Sequence, residues 1–187
     1  MTNTLSLIGA GRMGSALAGG WLKAGLAGKI DIVEPRPSAA VQAWADDGKV
    51  RLNEAAQDAD ILVVAVKPQM VGELAAAIAD RVGPNSQVLS VMAGVSLATL
   101  EANLGTPRVA RAMPNTPGLG GKGVTILCTR PDTGAETIAT LQDLLTPLGA
   151  VEGPIDEAQL PAATAISGCG PAYGFLLADM MSAAGAK

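Results

Sequence analysis

The sequence predicts an α/β fold with a doubly wound parallel sheet, and three observations lead to this fold class. Short apolar segments alternate with longer amphipathic segments along the chain of 187 residues. Apolar residues make up 49% of the chain but aromatic residues only 2%, so the core is expected to be aliphatic. A glycine-rich turn, Gly9–Gly14, joins the first apolar segment to the first amphipathic one. Such alternation is typical of parallel strands joined by right-handed helical crossovers.

Five short segments rich in β-branched and aliphatic residues are predicted to be strands. They lack strict alternation of apolar and polar residues, as expected of strands that helices cover on both faces. They are Leu5–Ile8, Ile30–Val33, Ile61–Val66, Val88–Met92 and Val109–Ala112.

The longer segments place apolar residues at three- and four-residue steps, a spacing that predicts helices. Met13–Ala24 is one such segment, and Val71–Val82, which follows Pro68, is another. Ser96 and Asp132 are predicted to be the N-caps of two further helices.

Composition argues against several kinds of function. With 13 basic and 17 acidic residues the net charge is -4, which disfavours a nucleic-acid partner. The chain has no histidine, so Ser-His and Cys-His catalysis and the commonest metal ligand are excluded. Cys128 and Cys169 lack zinc-ligand spacing, and no metal is expected. Two free thiols in a reducing compartment and a single disulfide are both compatible with this pair.

The chain carries no pattern of a membrane protein or a secreted one. Its first residues, MTNTLSLIGAG, lack the basic start and cleavage site of a signal peptide. No window approaches 18 uninterrupted apolar residues. We therefore expect a cytoplasmic protein without a membrane partner.

Gly9-Ala10-Gly11-Arg12-Met13-Gly14 is a GxGxxG motif directly between a predicted strand and a predicted helix. In this position the motif is typical of Rossmann-like dinucleotide-binding domains. Gly9 allows the tight turn, Gly11 allows a pyrophosphate to approach the backbone, and Gly14 allows the helix to pack closely on the strand. The N–H groups at the start of the helix favour phosphate.

Glu34 completes the motif, because it lies 20 residues after Gly14 at the end of the second predicted strand. A carboxylate at this place accepts hydrogen bonds from the adenine ribose and repels a 2′-phosphate, which favours NADH. Arg36 lies two residues further on and is either a partner for a 2′-phosphate or a solvated loop residue. The choice between NADH and NADPH stays open at this point.

Three further segments lie at predicted strand ends, where doubly wound sheets bind ligands. Lys67 and Pro68 follow one strand, and the small residues of Met92–Gly94 leave room for a flat ring after the next. Asn115 lies between two prolines, which would fix the direction of its side-chain amide. Such an amide can orient a nicotinamide or a substrate carbonyl.

Taken in order along the chain, these residues match a known family. The segments are IGAGRMGSALAGGWLKAG, AVKPQ, SVMAGVSLATLEANLG, RAMPNTPGLGGKGVT and SGCGPAYGFLLADMMSAAG. With them the chain resembles pyrroline-5-carboxylate reductase, the enzyme of the last step of proline synthesis. The pairing of RAMPNTP with SGCGPAY is far more specific than the glycine motif.

The resemblance implies two sets of site residues. Those near the nicotinamide and the substrate would be Asn115, Ser167, Gly168, Gly170 and Pro171. Residues that contact the cofactor, with Glu34 and Arg36 taken from the motif, would be Gly9, Ala10, Gly11, Arg12, Met13, Gly14, Ser15, Glu34, Arg36, Asn53, Ala65, Val66, Lys67, Pro68, Met92, Ala93 and Gly94.

The sequence also predicts a division into two regions. The composition changes near residue 153, where Gly153 and Pro154 are expected to interrupt the chain. Residues 1–154 are assigned to the dinucleotide-binding domain, and residues 155–187 to the start of a helical dimerisation domain. The helix after Pro171 is apolar on more than one face, so we expect it to pack in a homo-oligomer.

Two features depart from the family pattern. Glu34 stands where members often carry a small polar residue, which leaves the usual preference for NADPH in doubt. Members also continue into a Ser-Pro-Gly-Gly-Thr-Thr stretch that helps to hold the substrate carboxylate, and this chain has no match to it. We expect the chain to be either part of a longer protein or a truncated form.

The resemblance implies hydride transfer from the nicotinamide to the imine carbon of 1-pyrroline-5-carboxylate, which gives L-proline. A ring imine protonated by solvent is already electrophilic, so no general acid is assigned. The alternative functions are a dinucleotide-binding protein without catalysis and an interaction role for the apolar C-terminal helix.

Overall fold

The protein is one mixed sheet covered by helices on both faces. The computed structural model describes residues 4–26, 28–55 and 58–186, without the side chains of residues 74–77 and 79. Within these residues the sheet has eight strands in the order β3-β2-β1-β4-β5-β6-β7-β8. They are β1 (Thr4–Ile8), β2 (Lys29–Val33), β3 (Arg51–Leu52), β4 (Ile61–Val64), β5 (Gln87–Ser90), β6 (Val109–Met113), β7 (Gly123–Thr129) and β8 (Gly149–Ile155).

The predicted doubly wound, Rossmann-like fold is confirmed, but the sheet is not parallel throughout. Strand β7 pairs antiparallel with β6, and β8 pairs parallel with β7, so the last two strands run against the other six. Between Met113 and Gly123 there is only a short 3₁₀ turn, Thr116–Gly120. A parallel neighbour needs a crossover of a dozen or more residues, so the chain can only turn back here. The sequence analysis did not identify β3, β7 or β8.

Seven α-helices lie in the described part of the chain. Ser96 is confirmed as an N-cap, since its side chain accepts a hydrogen bond from the N–H of Thr99. The prediction for Asp132 is wrong: the helix is capped by Gly134, and the carboxylate of Asp132 lies 3.2 Å from Arg130 Nε. The helices are α1 (Arg12–Ala24), α2 (Ala39–Asp46), α3 (Val71–Ile78), α4 (Leu97–Leu104), α5 (Ala135–Leu145), α6 (Leu160–Ala163) and α7 (Gly170–Gly185).

Two aliphatic clusters form the core, one on each face of the sheet. Helices α1 and α5 cover the first face, where Trp21 and Leu141 pack with Leu5 and other strand residues. The second face is covered by α3, α4 and α6, which contribute Ile78, Leu100 and Leu160. The strands are therefore buried on both sides, as their continuous apolar sequences predict.

The region after β7 differs from the prediction at its boundary. Gly153 and Pro154, expected to interrupt the chain, lie inside β8 and are joined by a cis peptide bond. A π-helical turn, Thr164–Gly168, then joins α6 to α7. No helix in the described residues is long and apolar enough to span a membrane.

Helix α7 has no buried residue. Its apolar side chains include Tyr173, Phe175, Leu177 and Met180, each at least 60% exposed. The helix predicted to be apolar on more than one face is thus exposed, and its packing in a homo-oligomer stays a prediction.

Trp21 joins helices α1 and α5, which cover the first face of the sheet. Its ring is fully buried, and the indole N–H donates a hydrogen bond of 2.7 Å to the carbonyl oxygen of Leu144 in α5. The packing of α1 against α5 therefore has a polar contact as well as an apolar one. Trp44, by contrast, lies partly exposed against Gly19.

We predict that Trp21→Phe lowers the free energy of unfolding by about 2–4 kcal/mol, because it leaves a buried carbonyl unpaired and opens a cavity. Denaturant titration measures this loss. The matched variant Trp44→Phe should cost less than about 1 kcal/mol. Equal losses in the two variants would contradict the role given to the Leu144 contact.

Candidate functional site

The glycine loop between β1 and α1 is closely packed at both ends and open in the middle. A Cβ on Gly9, which has a φ of +92°, would lie 2.7 Å from Cγ1 of Val66. A Cβ on Gly14 would lie 2.0 Å from the carbonyl oxygen of Gly9. A Cβ on Gly11 would meet no atom within 4 Å. Gly9 and Gly14 are thus required by packing, whereas Gly11 leaves space at the surface of the loop.

The start of α1 suits an anion. Its N-cap is Gly11, which offers no side-chain hydrogen bond, and its first turn contains no acidic residue. Arg12 is exposed and Met13 is partly buried, while Ser15 donates from its hydroxyl to the carbonyl oxygen of Ala10 at 2.6 Å. The unpaired N–H groups and the helix dipole therefore favour negative charge at the open middle of the loop.

Glu34 lies against this loop with both carboxylate oxygens engaged. Oε2 accepts a hydrogen bond of 2.9 Å from the N–H of Ala10, and Oε1 accepts one of 3.0 Å from the N–H of Arg36. Asn53, at a φ of +54°, binds the backbone of Glu34: its Oδ1 accepts from the N–H and its Nδ2 donates to the carbonyl. Asn53 thereby fixes the end of β2, and the side chain of Arg36 is exposed.

The turns after β4 and β5 lie at the same edge of the sheet. Ala65 donates its N–H to the carbonyl of Ile8 at 2.8 Å, which brings Ala65 and Val66 beside the glycine loop. Lys67 is exposed and precedes a 3₁₀ turn that begins at Pro68.

The turn after β5 leaves open space in the same way as the glycine loop. Met92 is buried, whereas Ala93 and Gly94 are exposed. Gly94 has a φ of +73°, and a Cβ there would meet no atom within 4 Å. The small residues predicted to make room for a ring are thus at the surface.

The structure brings Asn115 and Ser167 together, although 52 residues separate them. Nδ2 of Asn115 lies 3.2 Å from the carbonyl oxygen and 3.4 Å from the hydroxyl of Ser167. Its Oδ1 accepts a hydrogen bond of 3.0 Å from the N–H of Val124. The amide is therefore fixed in direction, and the groups that fix it belong to the start of β7 and to the π-helical turn.

Gly168 ends that π-helical turn, and Gly170 and Pro171 form the first residues of α7. A Cβ on Gly168 would lie 3.2 Å from Cγ2 of Thr164, and one on Gly170 would meet no atom within 4 Å. The predicted helix start is thus present at this place.

A cavity of about 520 Å³ lies between the turn after β5, the end of β6 and the segment from Glu157 to Cys169. It brings Ala93 and Gly94 to one wall and Cys169 to another. Most of the remaining lining is apolar or small. The lining residues are Ala93, Gly94, Ser96, Arg111, Met113, Glu157, Leu160, Pro161, Thr164, Ala165 and Cys169.

The sequence analysis missed the charged pair of this cavity. Nη1 of Arg111 lies 2.6 Å from Oε1 of Glu157. The signal for Arg111 was a charged residue inside a strand otherwise apolar, and Glu157 carried no signal of its own. Among the described residues, no group of three or more acidic or cysteine side chains could hold a metal ion.

The two cysteines are free thiols in different environments. Cys128 is fully buried opposite Arg111 on β6, and its burial raises its pKa, with a further increase from the charge of Glu157. Cys169 is exposed at the start of α7. The disulfide alternative is therefore not formed.

Comparisons with known proteins show which family this chain resembles over its length. The family model described as NADP oxidoreductase, coenzyme F420-dependent, matches residues 4–94. The pyrroline-5-carboxylate reductase of Pseudomonas aeruginosa is 38% identical over 191 residues, which cover 100% of this chain and 70% of that protein. The enzyme of the same name from Mycobacterium leprae is 40% identical, over 97% of this chain and 64% of that protein.

Solved structures give the same result. The pyrroline-5-carboxylate reductase of Coxiella burnetii superposes with a TM-score of 0.86 at 26% identity, over 99% of this chain and 71% of that one. Plasmodium falciparum pyrroline carboxylate reductase, solved with NADP bound, gives 0.80 at 29% identity, over 98% and 69% of the two chains. The sequence thus spans about two thirds of the length of these relatives. With the P. aeruginosa enzyme related over the whole chain, the protein belongs to the pyrroline-5-carboxylate reductase family.

Proposed function

We propose that this chain binds NAD(P)H and reduces 1-pyrroline-5-carboxylate to L-proline. Family membership supports the proposed reaction, and one structural observation supports the location of the binding site. The open glycine loop and the 520 Å³ cavity lie at the same edge of the sheet, where doubly wound folds bind ligands.

The glycine loop fits the pyrophosphate of a dinucleotide. The space above Gly11 admits phosphate oxygens, and the first turn of α1 offers N–H donors and contains no acidic residue. Glu34 and Asn53 would lie at the adenine ribose, and the turns after β4 and β5 would lead the cofactor towards the cavity. When bound, the cofactor supplies the hydride.

The cavity would hold the nicotinamide and the pyrroline ring together. Its walls are small and apolar around Ala93, Gly94 and Met113, which leaves room for a flat ring. Asn115 and Ser167 act in this proposal as positioning residues, since the Asn115 amide is bound by the chain on both sides. Holding two reactants in contact can lower a barrier by roughly 7–11 kcal/mol. The protonated imine is electrophilic, and no side chain is assigned as a general acid.

Glu34 favours NADH over NADPH in this proposal. Its carboxylate cannot easily turn away from a 2′-phosphate, because backbone N–H groups of Ala10 and Arg36 hold both oxygens. The two oxygens would still accept hydrogen bonds from ribose hydroxyls through their remaining lone pairs. Arg36 is exposed, and its guanidinium could offset the repulsion between the Glu34 carboxylate and a 2′-phosphate.

Helix α7 would pack against a second copy of this chain. Side chains on all its faces are exposed, and Phe175 and Met180 are 72% and 62% exposed. Contiguous apolar surface of this kind marks an association site. A second copy presents the same helix, so each α7 would cover apolar surface of the other.

The first prediction tests the function and its site together. Gly11→Val should keep the fold, because a Cβ there meets no atom, but it fills the space of the phosphate oxygens. We expect NADH affinity to fall more than about tenfold. Fluorescence titration measures binding, and NAD(P)H oxidation with matching proline formation from pyrroline-5-carboxylate measures the reaction.

Gly134→Val is the matched control for this variant. Gly134 is the N-cap of α5 with a φ of -64°, close to the -66° of Gly11, and it also has no atom within 4 Å of a Cβ. Unchanged binding in a folded Gly11→Val protein would refute the cofactor site. Binding without proline formation by the wild-type chain would leave a dinucleotide-binding protein without this catalysis.

A second prediction concerns the choice of cofactor. Glu34→Gln removes the charge and keeps an oxygen acceptor, so it should raise the ratio of kcat/KM for NADPH to that for NADH by about tenfold. Glu34→Ser should shift the ratio in the same direction. Arg36→Ala should lower it if the guanidinium binds a 2′-phosphate. Ratios that stay constant in all three variants would place cofactor recognition elsewhere.

Our third prediction for this proposal concerns α7. Sedimentation of the wild-type chain should show a dimer or larger assembly. Phe175→Glu combined with Met180→Glu should yield monomers, because both side chains are exposed and do not support the monomer core. Ser182→Glu adds charge to the same helix at a residue that is already polar and should weaken association less. A wild-type monomer at micromolar concentration would exclude this surface as an interface.

A further inference from the structure

One carboxylate oxygen connects three separate parts of the cavity wall. Oε1 of Glu157 accepts hydrogen bonds from Nη1 of Arg111 at 2.6 Å and from the backbone N–H of Leu97 at 2.8 Å. Glu157 begins the 3₁₀ turn before α6, Arg111 belongs to β6, and Leu97 is the first residue of α4. Arg111 and Glu157 line the same cavity, as does Ser96, the N-cap residue before Leu97.

This contact provides the counter-ion of the Arg111 guanidinium. Its side chain is only 9% exposed, and Glu157 is the ion-pair partner that the described residues provide. Nε of Arg111 is buried without a hydrogen-bond partner in the described part of the protein. Burial of a guanidinium costs free energy unless the group is paired. Removal of Glu157 would therefore favour another position of the Arg111 side chain.

The start of α4 depends on the same oxygen. Ser96 caps the helix locally by accepting from the N–H of Thr99, whereas the N–H of Leu97 is satisfied by Glu157, 60 residues further along the chain. A carboxylate is favoured at a helix N-terminus. Only Val95 and Ser96 separate the Met92–Gly94 turn from α4, so the contact of Glu157 with Leu97 lies three residues after the end of that turn.

A second contact fastens the same segment to the end of β6. Asn115 donates to Ser167, so the chain from Glu157 to Ser167 is attached at one end to β6 and at the other to Asn115, two residues after β6. Between these points Leu160 packs into the core. The segment from Glu157 to Ser167 is therefore held in place at both ends and in between.

We propose that Glu157 is a positioning residue for the nicotinamide half of the cofactor. It would hold the Met92–Gly94 turn and the segment from Glu157 to Ser167 at the separation that a nicotinamide ring requires. This inference rests on the proposed function, because it assumes that the cavity receives the nicotinamide. The adenosine half would bind at Glu34 and the glycine loop, away from Glu157.

ADP-ribose and NADH separate these two halves in a binding experiment, because ADP-ribose lacks the nicotinamide. We expect Glu157→Ala to reduce NADH affinity about tenfold, while ADP-ribose affinity stays within about twofold. Glu157→Gln keeps an oxygen that can accept from Leu97 and should recover part of the NADH affinity. Glu152→Ala, which removes an exposed acid of β8, should change neither affinity.

Arg111→Met combined with Glu157→Ala removes the uncompensated charge and keeps the experiment decisive if the single variant does not fold. The double variant should still lose NADH affinity selectively. Equal losses for NADH and ADP-ribose, or no loss for either, would overturn the positioning role. If the wild-type protein binds neither ligand, the proposed cofactor site itself is wrong and this inference falls with it.

Discussion

The close approach of α1 to the end of β1 is the constraint on which the site depends. A single added carbon on Gly14 would lie 2.0 Å from the carbonyl of Gly9, so the helix reaches this position only because neither residue has a side chain. That approach places the first turn of α1 beside the end of β1 and close to Ala65, which follows β4. Val66, Ala65 and the carboxylate of Glu34 then pack or bond against the loop from neighbouring strands. The edge of the sheet that carries the candidate site is thus arranged around the contact between the backbones of Gly9 and Gly14.

Local chemistry made the first half of the fold predictable. The GxGxxG motif, Ser96 as an N-cap and the apolar strands β1, β2, β4, β5 and β6 each carry their signal within a few residues. The reversal at β7 had no such signal in the analysis, because it depends on the absence of a helix between Met113 and Gly123. Asp132 was wrongly predicted to be an N-cap because an acid before an amphipathic segment is a common cap. In the structure its carboxylate pairs with Arg130 instead.

The site residues divide in the same way, into those with a local signal in the sequence and those without one. Residues of the glycine loop and Glu34 were found from spacing, and the neighbourhood of Asn115 and Ser167 was expected from the family resemblance alone. The pair of Arg111 and Glu157 joins residues 46 positions apart and could not be read from either residue's surroundings in the sequence. Asn53 was expected to contact the cofactor. In the structure its side chain binds the backbone of Glu34, an interaction that the sequence did not indicate. Contacts that depend on tertiary packing, and not on a local motif, were the ones missed.

The reversal of the last two strands has a consequence for how the cavity is built. Ile155, at the end of β8, pairs with Cys128, which itself lies opposite Arg111, so the chain leaves the sheet level with the middle of β6, with β7 between the two strands. It must then run along β6 to reach Asn115, and that path forms the outer wall of the cavity. A wall attached to the sheet at both ends by hydrogen bonds does not swing open like a domain on a hinge. If the cavity receives the nicotinamide as proposed, that side of the site would be preorganised, and binding there would require little loss of conformational entropy.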